Sequence, residues 1–589
     1  MAHDERTGDA ATDRALRTAA DRLLMRMTRH SGHWVALLSL ASVTGAAADI
    51  AFPAVLGHTV DVMLRTAVWP SGPGGPADRW LAGCAALIAL IVACSAAGQL
   101  ATGMCTAAGT AWTRQRLVGH VFCAGLRLGR RFGDGDIVSR LVGGTAEAGA
   151  AAAGGVLAVA AVIPPVGSIV ALALIDPWLA VAFAAGLPVL AVMLRSFVRD
   201  VSDNTVSYQR AHGEIAARLL DALAGARTIA ASGTRDQETA RVLTPLAEVR
   251  RHGREFWRIQ ARVAAQGSLV VPLLQVVVLA VAGLELAAHR ISPGELLAAG
   301  QYAVIGAGVG AAIGRLSQLG RARAGARRVA EPLAEPTTRH GTAALPPGPG
   351  RLKLSGITVR SGGDLILDGL HATVPGGALV AVVGRSGAGK SMLAAVAGRL
   401  LDPDQGEVTL DGVPLATLDA AALRRAIVCA FDKPALFGGT PREAIEFGAP
   451  VPRPERLLAA ARDASAMEFL RLLPAGLDTP LGQAPMSGGE IQRIGLARAF
   501  AHADEARLLI LDDATSSLDT VTEMRVSAAL TGHLSDRTRL IISGRATTAA
   551  RADLVAWLER GRLRALAPHR ELWLDPGYRA VFAPEMADA

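Results

Sequence analysis

The chain has 589 residues, more than one ordinary domain needs, and combines 51% hydrophobic with only 19% charged residues. This composition argues against a purely soluble protein and predicts membrane-spanning segments. The formal charge of +8 comes almost entirely from arginine, because Lys353, Lys390 and Lys433 are the only lysines, and it has a membrane explanation rather than a nucleic-acid one.

Six apolar segments occupy the first half of the chain. They are 34–62, 80–108, 150–175, 177–194, 263–288 and 296–313. A helix needs about 20 apolar residues to cross the hydrocarbon core of a bilayer. Four segments reach that length comfortably, and the fourth and sixth are at the short end. The pattern favours six membrane-spanning helices over the buried helices of a soluble protein.

Arginine is distributed unevenly between these segments. Six arginines precede Trp34, six lie in the loop 109–149 and twelve in the loop 195–262, whereas the alternate loops contain very few. Positive loops stay on the cytoplasmic side. We therefore expect a multi-pass protein of the cytoplasmic membrane with both termini in the cytoplasm and no cleavable signal peptide. The two long basic loops read as helical extensions that reach a soluble domain.

Polar residues at membrane depth are candidates for substrate contact. Asp49 lies near the middle of the first apolar segment and Gln99 within the second. An intramembrane ionisable group is by default a functional hypothesis, although a solvated position or a helix-pairing hydrogen bond explains these residues equally simply. Pro164 and Pro165 predict a kink in the third segment.

The composition divides the chain into four parts. We predict a cytoplasmic N-terminal segment (1–33), an all-α six-helix transmembrane domain (34–318), a linker rich in proline and glycine (319–350) and an α/β domain (351–589). The α/β prediction rests on short apolar strands that alternate with helical patterns after residue 351.

The stretch "VAVVGRSGAGKSMLAAVAG" is an apolar strand, a glycine-rich turn and a helix. Its GxxxxGKS motif comprises Gly384, Arg385, Ser386, Gly387, Ala388, Gly389, Lys390 and Ser391. The backbone N–H groups of such a turn cradle phosphates, the lysine reaches the terminal phosphates and the serine ligates Mg²⁺. The α/β domain is therefore predicted to be a P-loop NTPase domain that binds ATP and Mg²⁺.

Further motifs follow in a fixed order. "MSGGE" at 486–490 precedes a helical run, and "LLILDD" and "SSLD" follow at 508–513 and 516–519. With these motifs the second half resembles the nucleotide-binding domain of an ATP-binding cassette (ABC) transporter. The whole chain resembles a half-size ABC exporter of the type IV fold, in which six membrane helices are fused to one cassette.

The resemblance assigns roles to individual residues. It implies that Lys390 and Ser391 bind phosphates and Mg²⁺ and that Asp512 holds the metal. Three residues, Ser487, Gly488 and Gly489, would meet the γ-phosphate bound to the opposite subunit. Asp519 would couple the two sites of the dimer, and Glu490 stands where the family usually has glutamine.

Besides Glu490, four positions that would serve the chain's own nucleotide depart from the family pattern. Asp513 replaces the glutamate that orients the attacking water, and it is one methylene shorter. Gly544 replaces the switch histidine, Asp432 replaces the loop glutamine, and Ser361 replaces the aromatic residue that stacks on adenine. No Phe, Trp or Tyr occurs between Tyr302 and Phe431, so this absence does not depend on the alignment. A catalytic group misplaced by about 1 Å can cost on the order of 100-fold in rate.

These four departures lie at positions that would bind the chain's own nucleotide. The three residues that would serve the opposite subunit, Ser487–Gly489 (the SGG turn), keep the family pattern. The resemblance then implies the degenerate half of a heterodimer, whose partner is a second half-transporter with an intact catalytic Glu and His. A slow homodimer is the simpler reading of the same residues. A siderophore-type importer and a non-transporting nucleotide-sensing regulator also fit the sequence, whereas an ABC ATPase acting on DNA is disfavoured by the six spans. Membrane lipids and an unknown substrate are the remaining expected partners.

Overall fold

The computed structural model describes residues 2–66, 76–361, 363–448 and 453–582. Parts of three predicted regions lie outside the described residues. They are Met1 of the N-terminal segment, residues 67–75 of the transmembrane domain, and residues 362, 449–452 and 583–589 of the α/β domain. The chain forms two compact units. The first unit comprises Met1–Gly119 and Gly135–Ala334, and the second unit comprises His120–Asp134 and Glu335–Ala589.

Fourteen α-helices precede the first strand in the described part of the chain, and all except α4 lie wholly or mainly in the first unit. Their bounds are α1 Ala2–His30, α2 Gly32–Thr66, α3 Pro76–Ala124, α4 Leu126–Arg131, α5 Asp134–Ser139, α6 Thr145–Gly149, α7 Ala151–Ala160, α8 Ile163–Ile175, α9 Pro177–Ala224, α10 Ala226–Ser232, α11 Arg235–Leu243, α12 Leu246–Ala287, α13 Pro293–Gly306 and α14 Val309–Leu333. A short π-helical turn, Arg140–Gly144, lies between α5 and α6.

Several of these helices have the length and apolarity of membrane spans. Within the described residues the stretches Gly32–Arg65, Ala77–Ala124, Gly135–Ile175 and Ser268–Ala287 qualify, and Pro177–Gly186 is a shorter apolar helix. The sixth predicted segment is divided, because α13 ends at Gly306 and the arginine-bearing α14 begins at Val309. The protein therefore has the helical transmembrane domain that the apolar segments predict.

Large apolar side chains remain exposed along these helices, as expected of a lipid-facing surface. Leu174 is 82% exposed and Leu284 is 72% exposed. Other side chains turn inward, where Phe183 and Val278 belong to one buried cluster. A helix that buries one stripe and leaves another apolar stripe exposed fits a bilayer better than water.

The long basic loops do continue the apolar helices. α9 runs for 48 residues and packs along α12, which runs for 42. At a rise of about 1.5 Å per residue such helices exceed the thickness of a bilayer core. Pro164 and Pro165 lie in the first turn of α8, so the predicted kink is a break between α7 and α8.

Helices α2 and α13 meet with their backbones almost in contact. A Cβ atom on Gly294 would overlap the carbonyl oxygen of Gly57. The Asp61 carboxylate also accepts hydrogen bonds from the N–H of Gly294, at 2.8 Å, and from the Ser292 hydroxyl. Glycine is required at this contact because any side chain would separate the two helices.

The second unit is an α/β domain preceded by the end of α14, which is helical to Leu333 within the predicted linker 319–350. Its elements in chain order are β1 Leu352–Ser361, β2 Asp364–Val374, β3 Leu379–Val383, α15 Lys390–Ala397, β4 Gln405–Leu410, β5 Val413–Pro414, α16 Ala420–Ala426, β6 Ile427–Phe431, α17 Pro441–Glu446, α18 Pro454–Asp463, α19 Met467–Leu470, α20 Gly488–His502, β7 Leu508–Asp512, α21 Thr520–Thr531, β8 Thr538–Ile542, α22 Ala546–Arg551, β9 Leu554–Glu559, β10 Arg562–Ala567, α23 His569–Leu572 and α24 Pro576–Ala580.

Two sheets organise this unit. One has the strand order β2-β1-β4-β5 and is antiparallel, and the other has the order β10-β9-β3-β8-β7-β6. Strands β9, β3, β8, β7 and β6 run parallel. Because the carboxyl ends of parallel strands share one edge, the residues that follow β3, β6, β7 and β8 are brought together there.

Candidate functional site

The glycine-rich turn connects β3 to α15 at the carboxyl edge of the parallel sheet. Gly387 and Gly389 have φ values of 78° and 95°, which glycine adopts without strain. A Cβ on Gly389 would also lie 2.9 Å from the Ile366 carbonyl oxygen. The Lys390 ammonium donates hydrogen bonds to the carbonyl oxygens of Gly384, at 2.8 Å, and Arg385, at 3.1 Å. The turn therefore has the backbone shape of a phosphate cradle, with the ammonium folded over it.

Asp512 ends β7 beside this turn. The hydroxyl of Ser391 donates to its Oδ1 atom at 3.0 Å. Mg²⁺ is usually held by one or two carboxylates together with substrate phosphates, so a serine and an aspartate in contact at the phosphate turn fit such an ion. Ser391 and Asp512 would hold the ion, and the chemistry it would supply is neutralisation of phosphate charge.

Three carboxylates gather at this edge. Burial raises the pKa of Asp512, the hydrogen bond from the Ser391 hydroxyl opposes this, and the nearby Asp513 and Asp432 carboxylates raise the pKa further, against a lowering by Lys390. Burial also raises the pKa of Asp513, which Lys390 partly offsets. Asp513 has a φ of 48°, in the left-handed region that aspartate tolerates better than most side chains. The site thus concentrates negative charge that a metal ion and Lys390 would neutralise.

Gln492 connects these segments, and the sequence interpretation did not identify it. Its side chain is buried, at 1% exposure, on α20. Its Nε2 donates to the carbonyl oxygens of Asp513, at 3.1 Å, and Asp432, at 3.2 Å, and to the Ser516 hydroxyl, at 3.0 Å. Its Oε1 accepts from the N–H of Ser517, at 3.0 Å. One amide therefore fixes the loops that follow β6 and β7.

Asp432 has its carboxylate engaged within the chain. The Ser516 hydroxyl donates to Asp432 Oδ1 at 2.7 Å, and Gln492 Nε2 approaches the same oxygen at 3.4 Å. At this position, where the resemblance implies a glutamine, the aspartate side chain is hydrogen-bonded to the loop after β7.

Gly544 follows β8 and faces open space. A Cβ placed on it would have no heavy atom within 4 Å, so the position could accommodate a larger side chain. The next residue, Arg545, donates to the carbonyl oxygens of Ser516, at 2.9 Å, and Leu518, at 3.2 Å, and pairs with Glu523. Arg545 thus holds the loop that leads from Asp513 to Asp519, a role that the sequence interpretation also missed.

The predicted SGG turn begins α20. Ser487 is the N-cap and accepts from the N–H of Glu490, whose carboxylate accepts from the N–H of Ser487 at 2.7 Å. This is a capping box, and the Ser-x-x-Glu spacing could have predicted it from the sequence. Ser487 and Gly488 are exposed at the helix N-terminus, where an anion is favoured.

Asp519 caps α21, and Ser361 ends β1. Asp519 accepts from the N–H groups of Val521, at 3.1 Å, and Thr522, at 3.2 Å, and hydrogen bonding at Thr522 lowers its pKa. Ser361 is half-buried at the end of its strand. In the first unit Asp49 is half-buried on α2 and Gln99 is exposed on α3, so neither lies in a closed core.

Comparisons with known proteins agree with this architecture. Residues 367–516 match the family "ABC transporter", and residues 35–306 match "ABC transporter transmembrane region". The chain is 49% identical over 547 residues to the ABC transporter ATP-binding protein RamA of Streptomyces coelicolor, an alignment that covers 93% of this chain and 84% of the relative.

More distant relatives share the same arrangement. The chain is 32% identical over 418 residues to an ATP-dependent lipid A-core flippase of Pseudomonas fluorescens, covering 68% of each protein. In fold it is similar to the structure of a bacterial Atm1-family ABC exporter with ATP bound, with a TM-score of 0.74, 23% identity, and coverage of 95% of this chain and 99% of the other.

Proposed function

The chain belongs to the ABC transporter family, as an exporter-type half-transporter, and on this basis we propose that it is the weakly hydrolysing subunit of a heterodimeric exporter. It would lie in the cytoplasmic membrane with both termini in the cytoplasm. It would bind ATP and Mg²⁺ at its own phosphate turn and help move a substrate out of the cell. Membrane lipids would surround the apolar helices of the first unit.

One contrast within the second unit supports the proposal. The groups that would hold a nucleotide are in place, because Lys390 covers the phosphate turn and Ser391 contacts Asp512 at 3.0 Å. The groups that would activate water are replaced, because Asp513 has a short side chain and Gly544 has none. The site is therefore suited to retaining ATP and poorly suited to hydrolysing it.

The surface that would serve a partner retains its features. Ser487 and Gly488 are exposed at the start of α20, and Asp519 is exposed at the start of α21. In the family's head-to-tail dimer this surface would complete the nucleotide site of the other subunit. A partner with a catalytic Glu and His would then carry most of the hydrolysis.

Three competing functions have less support. A homodimer would contain two copies of the same weak site, each with glycine rather than histidine at position 544 in the turn directly after β8. Neither the siderophore-type importer nor the non-transporting regulator is favoured by the similarity to exporter-type relatives.

ATPase measurements test the proposal. The chain would be reconstituted in nanodiscs alone and together with a half-transporter that has an intact Glu and His, with and without a Glu→Gln change in that partner. We expect low activity alone, high activity in the pair, and loss of most of that activity when the partner's glutamate is changed. Rapid hydrolysis by the chain alone would contradict the proposal and indicate a homodimer with unusual catalytic groups.

A further inference from the structure

A cavity of about 440 Å³ lies inside the second unit, next to the end of β1. Its wall includes Ser361 and Arg360 of β1, Asp402, and three arginines of the α4 helix, Arg127, Arg130 and Arg131. Although α4 lies far from the strands in sequence, residues 120–134 belong to the same compact unit. The cavity is thus bounded by the position where the family has an adenine-stacking ring and by a cluster of guanidinium groups.

The cavity adjoins the phosphate turn. Arg130 Nη1 lies 3.7 Å from the sulfur of Met392, which directly follows Ser391 in α15. β1 pairs with β2, and a Cβ on Gly389 of the turn would lie 2.9 Å from the carbonyl oxygen of Ile366 in β2. A nucleotide whose phosphates rest on the start of α15 could therefore place its base in this cavity.

Most of the cationic groups around the cavity already have partners. Arg131 is paired with Glu335, and Arg399 neutralises Asp402 at 3.0 Å. Arg127 donates to the carbonyl oxygen of Asp402 at 2.7 Å and so attaches α4 to the loop after α15. Arg130 and Arg360 differ from these: among the described residues the Arg130 guanidinium contacts only the weakly accepting sulfur of Met392, and the Arg360 guanidinium contacts no polar group. Of the two, Arg130 is the one that touches the helix following the phosphate turn.

A guanidinium group can replace an aromatic ring as a stacking partner. It is planar and weakly hydrated, and it stacks on π-systems, whereas an ammonium is a compact, strongly hydrated charge. No aromatic side chain of the described residues lines the cavity, and Phe132 at the end of α4 is buried with Arg131 over its ring. Ser361 is too short to stack on a base.

We propose that Arg130 binds the adenine base of ATP by stacking, in place of the missing aromatic residue, and that Arg127 positions α4 for this contact. The inference rests on the proposed retention of ATP at the phosphate turn. It makes the first cytoplasmic loop part of this subunit's nucleotide site.

Equilibrium binding distinguishes stacking from charge. We would measure how tightly the full-length chain in detergent binds two ligands, Mg·ATP and Mg·tripolyphosphate, which has no base. The variants are Arg130→Ala, Arg130→Lys and the exposed control Arg570→Ala. We expect Arg130→Ala and Arg130→Lys to weaken ATP binding about tenfold, the scale of one lost base stack, and to leave tripolyphosphate unchanged. Arg570→Ala is expected to affect neither ligand.

A rescue completes the test. Ser361→Tyr in the Arg130→Ala background should restore most of the ATP affinity, because it returns a ring to the same cavity. An unchanged ATP affinity in Arg130→Ala, or an equal loss for ATP and tripolyphosphate, would overturn the stacking role. Lys390→Ala separates the two proposals: if it also leaves ATP binding intact, retention of ATP at the phosphate turn is wrong, whereas if it abolishes binding, only the role of Arg130 is wrong.

Discussion

At the scale of single residues, the proposed weak hydrolysis rests on two positions, Gly544 and Asp513, where only a small steric change is needed to introduce histidine and glutamate. The space beside Gly544 is open, and Asp513 differs from glutamate by one methylene in an otherwise ordered loop. The surrounding hydrogen bonds of Gln492 and Arg545 hold the backbone on either side of these positions. The backbone around both positions is therefore held in place independently of the side chains at 513 and 544.

Restoring both groups should therefore restore hydrolysis. We expect the double change Asp513→Glu and Gly544→His to raise ATP turnover at this site by about 100-fold, the scale of one well-placed general base. The measurement is the ATPase rate of the complex with its partner's site inactivated. Adding Lys390→Ala should remove the gain, and a double variant no faster than the parent would show that other groups limit the site.

The crowded carboxylates predict a pH-dependent stability. Burial raises the pKa of Asp513, so the folded state binds more protons than the unfolded state between the ordinary aspartate value of about 3.9 and the folded value. Stability therefore falls as pH rises through that interval. Asp513→Asn should raise the unfolding temperature of the metal-free, nucleotide-free protein by a few degrees at pH 7.5.

That gain should shrink as the pH is lowered toward the ordinary aspartate pKa, because the parent carboxyl is then also uncharged. Thermal unfolding in a chelating buffer at several pH values measures the effect. An equal gain at every pH would point to a packing effect rather than to charge.

The residues that the sequence interpretation found and missed differ in how their contacts are arranged. Lys390 and Asp512 belong to contiguous motifs whose local pattern carries the chemistry. Gln492 and Arg545 act through carbonyl oxygens of loops distant in sequence, so their roles depend on tertiary contacts that a sequence pattern does not encode. Glu490 lies between these cases, since the Ser-x-x-Glu spacing predicts a capping box and the sequence interpretation noted only that the family usually has glutamine there.

At the scale of elements, the cap of α20 predicts the effect of two substitutions. Glutamine also completes a capping box, so Glu490→Gln should change stability by less than about 0.5 kcal/mol, whereas Ser487→Ala should cost about 1 kcal/mol. In the proposed heterodimer, removing the carboxylate should also raise ATPase activity at the partner's site severalfold, because a negative charge would be removed from beside the partner's bound phosphate. Chemical unfolding and ATPase assays measure the two effects, and a lower rate for Glu490→Gln would contradict this account.

The contact between α2 and α13 predicts a sensitive position in the first unit. Gly294→Ala would place a methyl group against the Gly57 backbone, so we expect a loss of about 1–3 kcal/mol or more of stability. The control is Gly98→Ala on α3, where the added Cβ meets no atom within 4 Å and should be neutral or slightly stabilising. Thermal unfolding in detergent compares them, and equal behaviour of the two variants would contradict the close contact.

The helices of the first unit were predictable as apolar stretches but their ends were not. The third segment breaks before Pro164, and the sixth divides at Ala307 and Gly308, where small residues leave the backbone free to end one helix and start another. Hydropathy averaged over a window reports burial in lipid and is insensitive to such interruptions.

At the scale of the whole molecule, the proposal predicts unequal effects of damage to the two faces of the cassette. In the heterodimer, a change to the SGG turn of this chain should reduce ATP hydrolysis more than a change to its Lys390, because the turn serves the more active site of the partner. We expect Gly488→Asp to lower activity at least tenfold and Lys390→Ala to lower it only severalfold. ATPase rates of the purified complexes measure both, and the opposite order would reverse the assignment of the weak site.

The chain passes between its two compact units three times, because residues 120–134 leave the first unit to join the second. A recombination event that exchanged only residues 335–589 with a relative would therefore transfer an incomplete unit. The incoming residues 335–589 would then pack against an α4 helix from the other protein. The arginines of that helix, which lie beside Ser361 in this chain, would not be matched to the new β1. Transfer of the complete second unit would thus need both residues 120–134 and residues 335–589, and exchange of the whole half-transporter is the simplest way to keep them together.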